Sequence, residues 1–265
     1  MKRIIFTTLF ITVLAGSSWS QETMFIHKSN GTVQAVLLNE VDSIVFYAPD
    51  NTIMDIDGNV YHTLQLGDQT WLRENLMTTR YNNGVDVPLV TDNAEWEGLA
   101  SAGFCWYNND EAANKAMYGA LYNWYVAETG NICPEGWHVP TDEEWTTLEL
   151  FLISQGFNFD GSTEGNLLAK SMATASGWRE NGNAGAVGND DYPDKQNATG
   201  FSAVPAGARQ AWGVFYAKNE GAGWWSSTEN SALDAWARGL SYNGFLLGRS
   251  HDVKNQGHSI RCIKD

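Results

Sequence analysis

The stretch Cys133-Pro134-Glu135-Gly136-Trp137-His138-Val139-Pro140-Thr141-Asp142-Glu143-Glu144-Trp145 decides how the rest of the chain is read. In Thr141-Asp142-Glu143-Glu144, a threonine precedes a glutamate by three residues, the reciprocal pair that closes a helix N-terminus. Trp145, Leu148, Phe151 and Leu152 then recur at three- and four-residue spacing, which predicts a helix with one buried stripe. Glu143 and Glu144 also have the look of paired carboxylates for glycoside cleavage. Their place in the cap accounts for them without chemistry.

Outward from this helix the pattern changes on both sides. Before it, Ala112 to Glu128 reads as a second helix, with Met117, Leu121, Trp124 and Tyr125 on one stripe. A third, shorter helix is expected from Thr163 to Ala173. Tyr81 to Gly103 is irregular and acidic and reads as a surface loop. Strands come first and last. Val60 to Leu66 alternates, Gln69 to Leu72 follows it, and Asp57-Gly58 supplies the turn after Ile53–Asp55, so Asp55-x-Asp57-Gly58 is hairpin chemistry and not a calcium loop. Beyond Gly177, short strands are predicted at Phe201–Val204, Val214–Ala217, Trp224–Ser227, Ala235–Tyr242, Phe245–Gly248 and Ser259–Ile263. Helices flanked by strands predict the α+β class.

The N-terminal end has its own organisation. Lys2 and Arg3 precede an apolar run from Ile4 to Ala15, and Ser18-Trp19-Ser20 places small residues before Gln21, so residues 1–20 read as a cleaved export signal. The run is shorter than the roughly 20 residues that span a bilayer, no cysteine follows it, and no later stretch is apolar enough to cross a membrane. Residues 21–51 read as a small β leader module and linker. Met24-Phe25-Ile26 and Val33–Leu38 flank the turn Asn30-Gly31, and a third strand is expected at Val41–Tyr47. The main domain is placed at 52–265.

Of the ionisable residues, 31 are acidic and 16 basic, a net charge of −15, which disfavours nucleic acid and anionic membranes as partners. An exported chain keeps its thiols in an oxidising compartment, so the three cysteines, Cys105, Cys133 and Cys262, allow one bridge and one leftover. Position favours Cys133 with Cys262, which would tie the last strand to the start of the central helix, and leaves Cys105 as a buried thiol. No C-x-x-C or histidine-rich spacing supports zinc.

Three groups of side chains are candidates for binding. Asp190, Asp191 and Asp194, with Asn189, lie in a Gly/Asn/Asp-rich run from Arg179 to Ala198. They offer oxygen ligands of the kind calcium takes, although a solvated acidic turn explains them better, since no calcium-loop register is present. Among 12 tryptophans, Trp212, Trp224 and Trp236 are the candidates for exposed indoles that stack on sugar rings. The histidines, His27, His62, His138, His251 and His258, are scattered and form no recognisable triad in sequence.

An ordered series of motifs runs from Met54 to the end: Asp57-Gly58-Asn59-Val60-Tyr61, Gln69-Thr70-Trp71, Glu74-Asn75-Leu76, Tyr118-Gly119-x-Leu121-Tyr122-Asn123-Trp124, Cys133-Pro134-x-Gly136-Trp137-His138-Val139-Pro140-Thr141, Gly200-Phe201-Ser202-Ala203-x-Pro205-Ala206-Gly207, Trp225-Ser226-Ser227-Thr228-Glu229 and Ile260-Arg261-Cys262. The chain thereby resembles the Fibrobacter succinogenes major paralogous domain, and the segment before it resembles a leader module found on exported proteins of Bacteroidetes-type bacteria. That family is similar to the C-type-lectin-like fold, which also includes the formylglycine-generating enzymes.

The resemblance implies a compact α+β domain whose chain ends share a small sheet, with a long loop region at about residues 179–223. It also implies the Cys133–Cys262 bridge and core positions for Trp71, Trp124, Trp137, Trp145 and Trp225. The Glu-Pro-Asn, Gln-Pro-Asp and Trp-Asn-Asp motifs of calcium-dependent sugar binding are missing, as is the second reactive cysteine of the formylglycine-generating enzymes. The expected function is therefore a secreted or cell-envelope binding protein, not an enzyme, that presents a loop surface to a glycan or a surface protein without an obligatory cofactor. A structural subunit of an envelope assembly and a polysaccharide-acting enzyme are the alternatives.

Overall fold

The computed structural model describes residues 23–27, 33–37 and 51–265. Two units are present, Met1–Tyr47 and Ala48–Asp265. In the first, β1 (Thr23–His27) pairs antiparallel with β2 (Val33–Leu37), with Phe25 opposite Ala35, as the leader reading predicts. The export signal, the Asn30-Gly31 turn and the third leader strand lie outside the described residues.

In the second unit, β3 (Thr52–Met54), β4 (Val60–Leu66) and β5 (Gln69–Leu72) form a meander. Then come α1 (Asn93–Glu97), β6 (Phe104–Cys105), α2 (Glu111–Tyr118), β7 (Leu121–Tyr122), α3 (Trp124–Ala127) and β8 (Trp137–His138). The helices α4 (Asp142–Ser154) and α5 (Ala169–Met172) precede β9 (Ala206–Arg209), β10 (Phe215–Lys218), β11 (Gly221–Glu229), β12 (Asp234–Ser241), β13 (Gly248–Val253) and β14 (Ile263–Lys264). One five-stranded sheet has the order β3-β4-β5-β14-β8, so the first strands of the domain and its last are neighbours. The other has the order β10-β9-β11-β12-β13, and β6 and β7 make a separate pair.

The helix α4 forms as its sequence dictates. The Thr141 hydroxyl accepts from the Glu144 N–H while the Glu144 carboxylate accepts from the Thr141 N–H. Its stripe of Trp145, Leu148 and Leu152 is buried. The Trp145 ring lies 4.7 Å from Trp71, 6.0 Å from Phe201 and 5.9 Å from Trp224, an aromatic centre between the helix and both large sheets. Cys133 and Cys262 are bonded, with Cα atoms 6.0 Å apart. The bridge joins the segment before β8 to the residue before β14, not to the start of α4. Cys105 is a buried free thiol that burial pushes up to about 12, despite the charge and hydrogen bond of Arg209 nearby.

Five sequence expectations are corrected. The stretch Ala112–Glu128 is two helices separated by β7. Gly119 adopts φ +73° with its Cα against Asn75 and Leu76, too close for a side chain, and turns the chain there. Tyr81–Gly103 is not only surface, because Tyr81, Val87, Val90 and Trp96 are buried and 93–97 is helical. Only Ala169–Met172 of the expected third helix is helical. No strand forms at Phe201–Val204, where Ser202 has φ +58°, and the last hairpin strand starts at Gly248, not at Phe245.

Candidate functional site

The residues singled out for binding are not brought together. Trp212 is 55% exposed, at the tip of the hairpin joining β9 to β10. Trp224 is fully buried, which corrects its expected exposure: it packs on Trp145 and Phe201, and its indole N–H donates to Asn75 Oδ1 at 2.9 Å. Its neighbour Trp225 is equally buried, because β11 is covered on both faces and alternation along the strand exposes neither. Trp236 is half-buried in β12, with the Arg249 guanidinium 3.5 Å from its ring centre and His251 edge-on at 5.7 Å. Asp190 and Asp194 are exposed, whereas Asp191 pairs with Lys170 Nζ at 2.9 Å. Among the described residues, no group of three or more His, Cys, Asp or Glu side chains is placed to hold a metal ion.

The Trp212 hairpin is held firmly. Arg209, itself fully buried, donates to the carbonyls of Gly213 (2.8 Å), Val90 (2.6 Å) and Thr91 (3.0 Å), and stacks on Trp96 at 4.4 Å. A planar guanidinium spreads its donors over several acceptors in this way, where a lysine would not. Asn255 Nδ2 donates to Ala211 O at 3.2 Å and fixes the other side of the tip.

Beside this hairpin the second sheet carries a hollow of about 180 Å³. Its floor is made of small residues from adjacent strands: Gly207 and Ala208 of β9, Gly221, Ala222 and Gly223 of β11, and Ala237 and Gly239 of β12. Glycines within strands leave room for something else to approach the backbone. Here the space above Gly223 is taken by His258, since a Cβ on Gly223 would sit 2.6 Å from His258 Nδ1. Tyr216, Ser250, Asp252 and His258 contribute the polar groups of the wall.

These wall groups are linked. His258 Nε2 is 3.0 Å from Asp252 Oδ2, Gln256 Nε2 is 3.2 Å from the same ring nitrogen, and Gln256 also donates to the Tyr216 hydroxyl at 3.0 Å. His258 is only 6% exposed, stands edge-on to Trp225 at 4.7 Å, and leaves Nδ1 without a hydrogen-bond partner. Burial alone would raise the Asp252 pKa. The hydrogen bond and charge of His258, with smaller contributions from His251 and Ser250, outweigh it and hold the carboxyl below its ordinary value. Asp252 is thus an ionised acceptor at the edge of the hollow. Ser250 bonds to that carboxylate and not to the imidazole, so the three do not form the nucleophile-base-orienter order of a hydrolase.

A second hollow of about 440 Å³ is lined by Glu180, Asn181, Gly182, Gly188 and Asp190 of the long loop. Near that loop Phe159 meets Tyr192 at 5.1 Å and Phe245 at 6.4 Å, with Tyr192 and Phe245 exposed.

Residues 64–264 match the model of the Fibrobacter succinogenes major domain. The chain belongs to this family. No curated protein and no solved structure matches it. The family match takes in every residue of both hollows, so the Fibrobacter succinogenes major domain contains the candidate site whole. Sequence reasoning did not find Tyr216, Ser250, Asp252 or His258. The signal that could have led to them is Gly221-Ala222-Gly223, a strand with too little side chain of its own to fill the space above it.

Proposed function

We propose that this protein is an exported, non-catalytic binding protein of C-type-lectin-like build, and that the sheet-face hollow, lined in part by the β9–β10 hairpin whose tip carries Trp212, receives a glycan. The observation that carries this reading is the convergence of an ionised Asp252, the Tyr216 hydroxyl and His258 over a floor of glycine and alanine. A carboxylate accepts strongly from hydroxyl groups, a floor of glycine and alanine leaves room for a ring, and an exposed indole on the neighbouring hairpin tip offers a stacking face. Seven of the lining residues, Gly207 to Gly223, fall in the 179–223 region that the lectin resemblance assigns to ligand contact. The linkage of Asp252, His258 and Ser250 in an order that activates no nucleophile supports the non-catalytic reading.

A glycan array probed with the full chain, with and without calcium, tests this reading. Binding should appear on a restricted set of glycans, and Asp252→Asn and Trp212→Ala should each weaken it about tenfold or more, the loss of one charge-assisted hydrogen bond or one stacked ring. Turnover of a polysaccharide that survives both substitutions would contradict it.

A further inference from the structure

The long loop closes around a cation that belongs to the chain itself. Lys170 lies in α5 with its side chain fully buried, and its Nζ donates to Asn189 O at 2.6 Å and Asp191 O at 2.7 Å and lies 2.9 Å from Asp191 Oδ1. Two backbone carbonyls and a carboxylate from one short turn are the oxygen donors a loop offers to calcium. An ammonium carries three N–H donors, and three oxygens stand around it here.

The surrounding turn is closed by its own bonds. Asp191 Oδ2 accepts from the Gly185 N–H at 2.8 Å, Asn189 Oδ1 accepts from the Asp191 N–H at 3.0 Å, and Asn189 Nδ2 donates to Asn183 O at 2.9 Å. The loop is also anchored to α5, where the Asn197 N–H donates to Lys170 O at 3.1 Å and the Thr199 N–H to Ser171 O at 3.0 Å.

We propose that the Lys170 ammonium is the permanent cation of this loop, occupying the place among these three oxygens that a calcium ion would need, so that the loop keeps its conformation without a metal. Asp191, one of the three carboxylates expected to offer calcium a site, is the lysine's counter-ion. Asp190 and Asp194 stay in solvent. A calcium ion at this turn would meet a positive charge within 3 Å of the oxygens it needs.

Hydrogen exchange and thermal unfolding of the full chain test this. With the natural sequence, the amides of Gly185 and Asp191 should exchange at the same rate in excess chelator and in millimolar calcium, and the melting temperature should not move. Lys170→Ala should speed exchange at those amides about tenfold or more, because it leaves the Asp191 carboxylate and two carbonyls without their partner, and a small alkylammonium ion should restore part of the protection. Should Lys170→Ala fail to fold, Asp191→Asn, which removes the charge and keeps the shape, should give the same local acceleration. Calcium-dependent protection in the natural sequence would overturn the proposal, as would unchanged exchange in the variants.

Discussion

Single residues carry large shares of the electrostatics. Asp57 accepts from the Thr79 N–H, from Arg80 and from the hydroxyls of Thr78 and Thr79. Burial would raise its pKa, but these donors outweigh burial and bring the carboxyl down to about 2, from an ordinary 3.8. A folded-state pKa below the unfolded one gives stability that is full above about pH 4 and is lost as pH falls toward 2. Discounted for solvent screening, the contribution is about 1–2 kcal/mol. Asp57→Asn should therefore lower stability by about that amount at pH 7 and flatten the decline between pH 4 and 2. Chemical denaturation across that range measures it, and an unchanged acid slope would refute the assignment. The same residue was legible in sequence only as half of an Asp-Gly turn, since its partners at Thr78–Arg80 come from another segment.

At the scale of elements, legibility follows locality. The α4 cap was readable because both partners, Thr141 and Glu144, lie within one turn. Thr141→Ala should cost about 1 kcal/mol in thermal or urea unfolding, and a cost near zero would mean the capping box is not formed in solution. Where two elements share one periodic pattern, the sequence misleads. Met117 and Trp124 fit a single helical stripe, yet Gly119 divides them, and Met117 is 64% exposed while Trp124 is buried. Burial of tryptophans was only partly legible for a related reason. Exposure in a strand follows from alternation only if one face is open, and β11 has Trp224 in one core and Trp225 in the other. The hollow escaped notice because its floor and walls are contributed by residues as far apart as Gly207 and His258.

The second unit as a whole is organised by the meeting of its first strands with its last. β14 lies between β5 and β8, and the Cys133–Cys262 bridge, spanning 129 residues, fastens that junction. In a chain-entropy account, closing a loop of that length stabilises the fold by roughly 4–5 kcal/mol. Paired replacement of Cys133 and Cys262 by serine should lower the unfolding free energy by about 2–5 kcal/mol. A loss under about 1 kcal/mol would show that the sheet holds the ends without covalent help. Among the described residues no helix is long and apolar enough to cross a membrane. The strong net negative charge of −15 suits a neutral or polyhydroxyl ligand better than an anionic one.

The central claim is that the hollow on the second sheet is the ligand-contact face. Amide chemical-shift mapping by NMR, with an oligosaccharide that scores on the array titrated into the full chain, tests it most directly. The account predicts saturable shifts centred on Gly207, Gly223, Gly239 and Ser250, with the Trp212 indole N–H moving alongside. Shifts confined to the long loop around Glu180–Asp190, with the hollow unmoved, would contradict it.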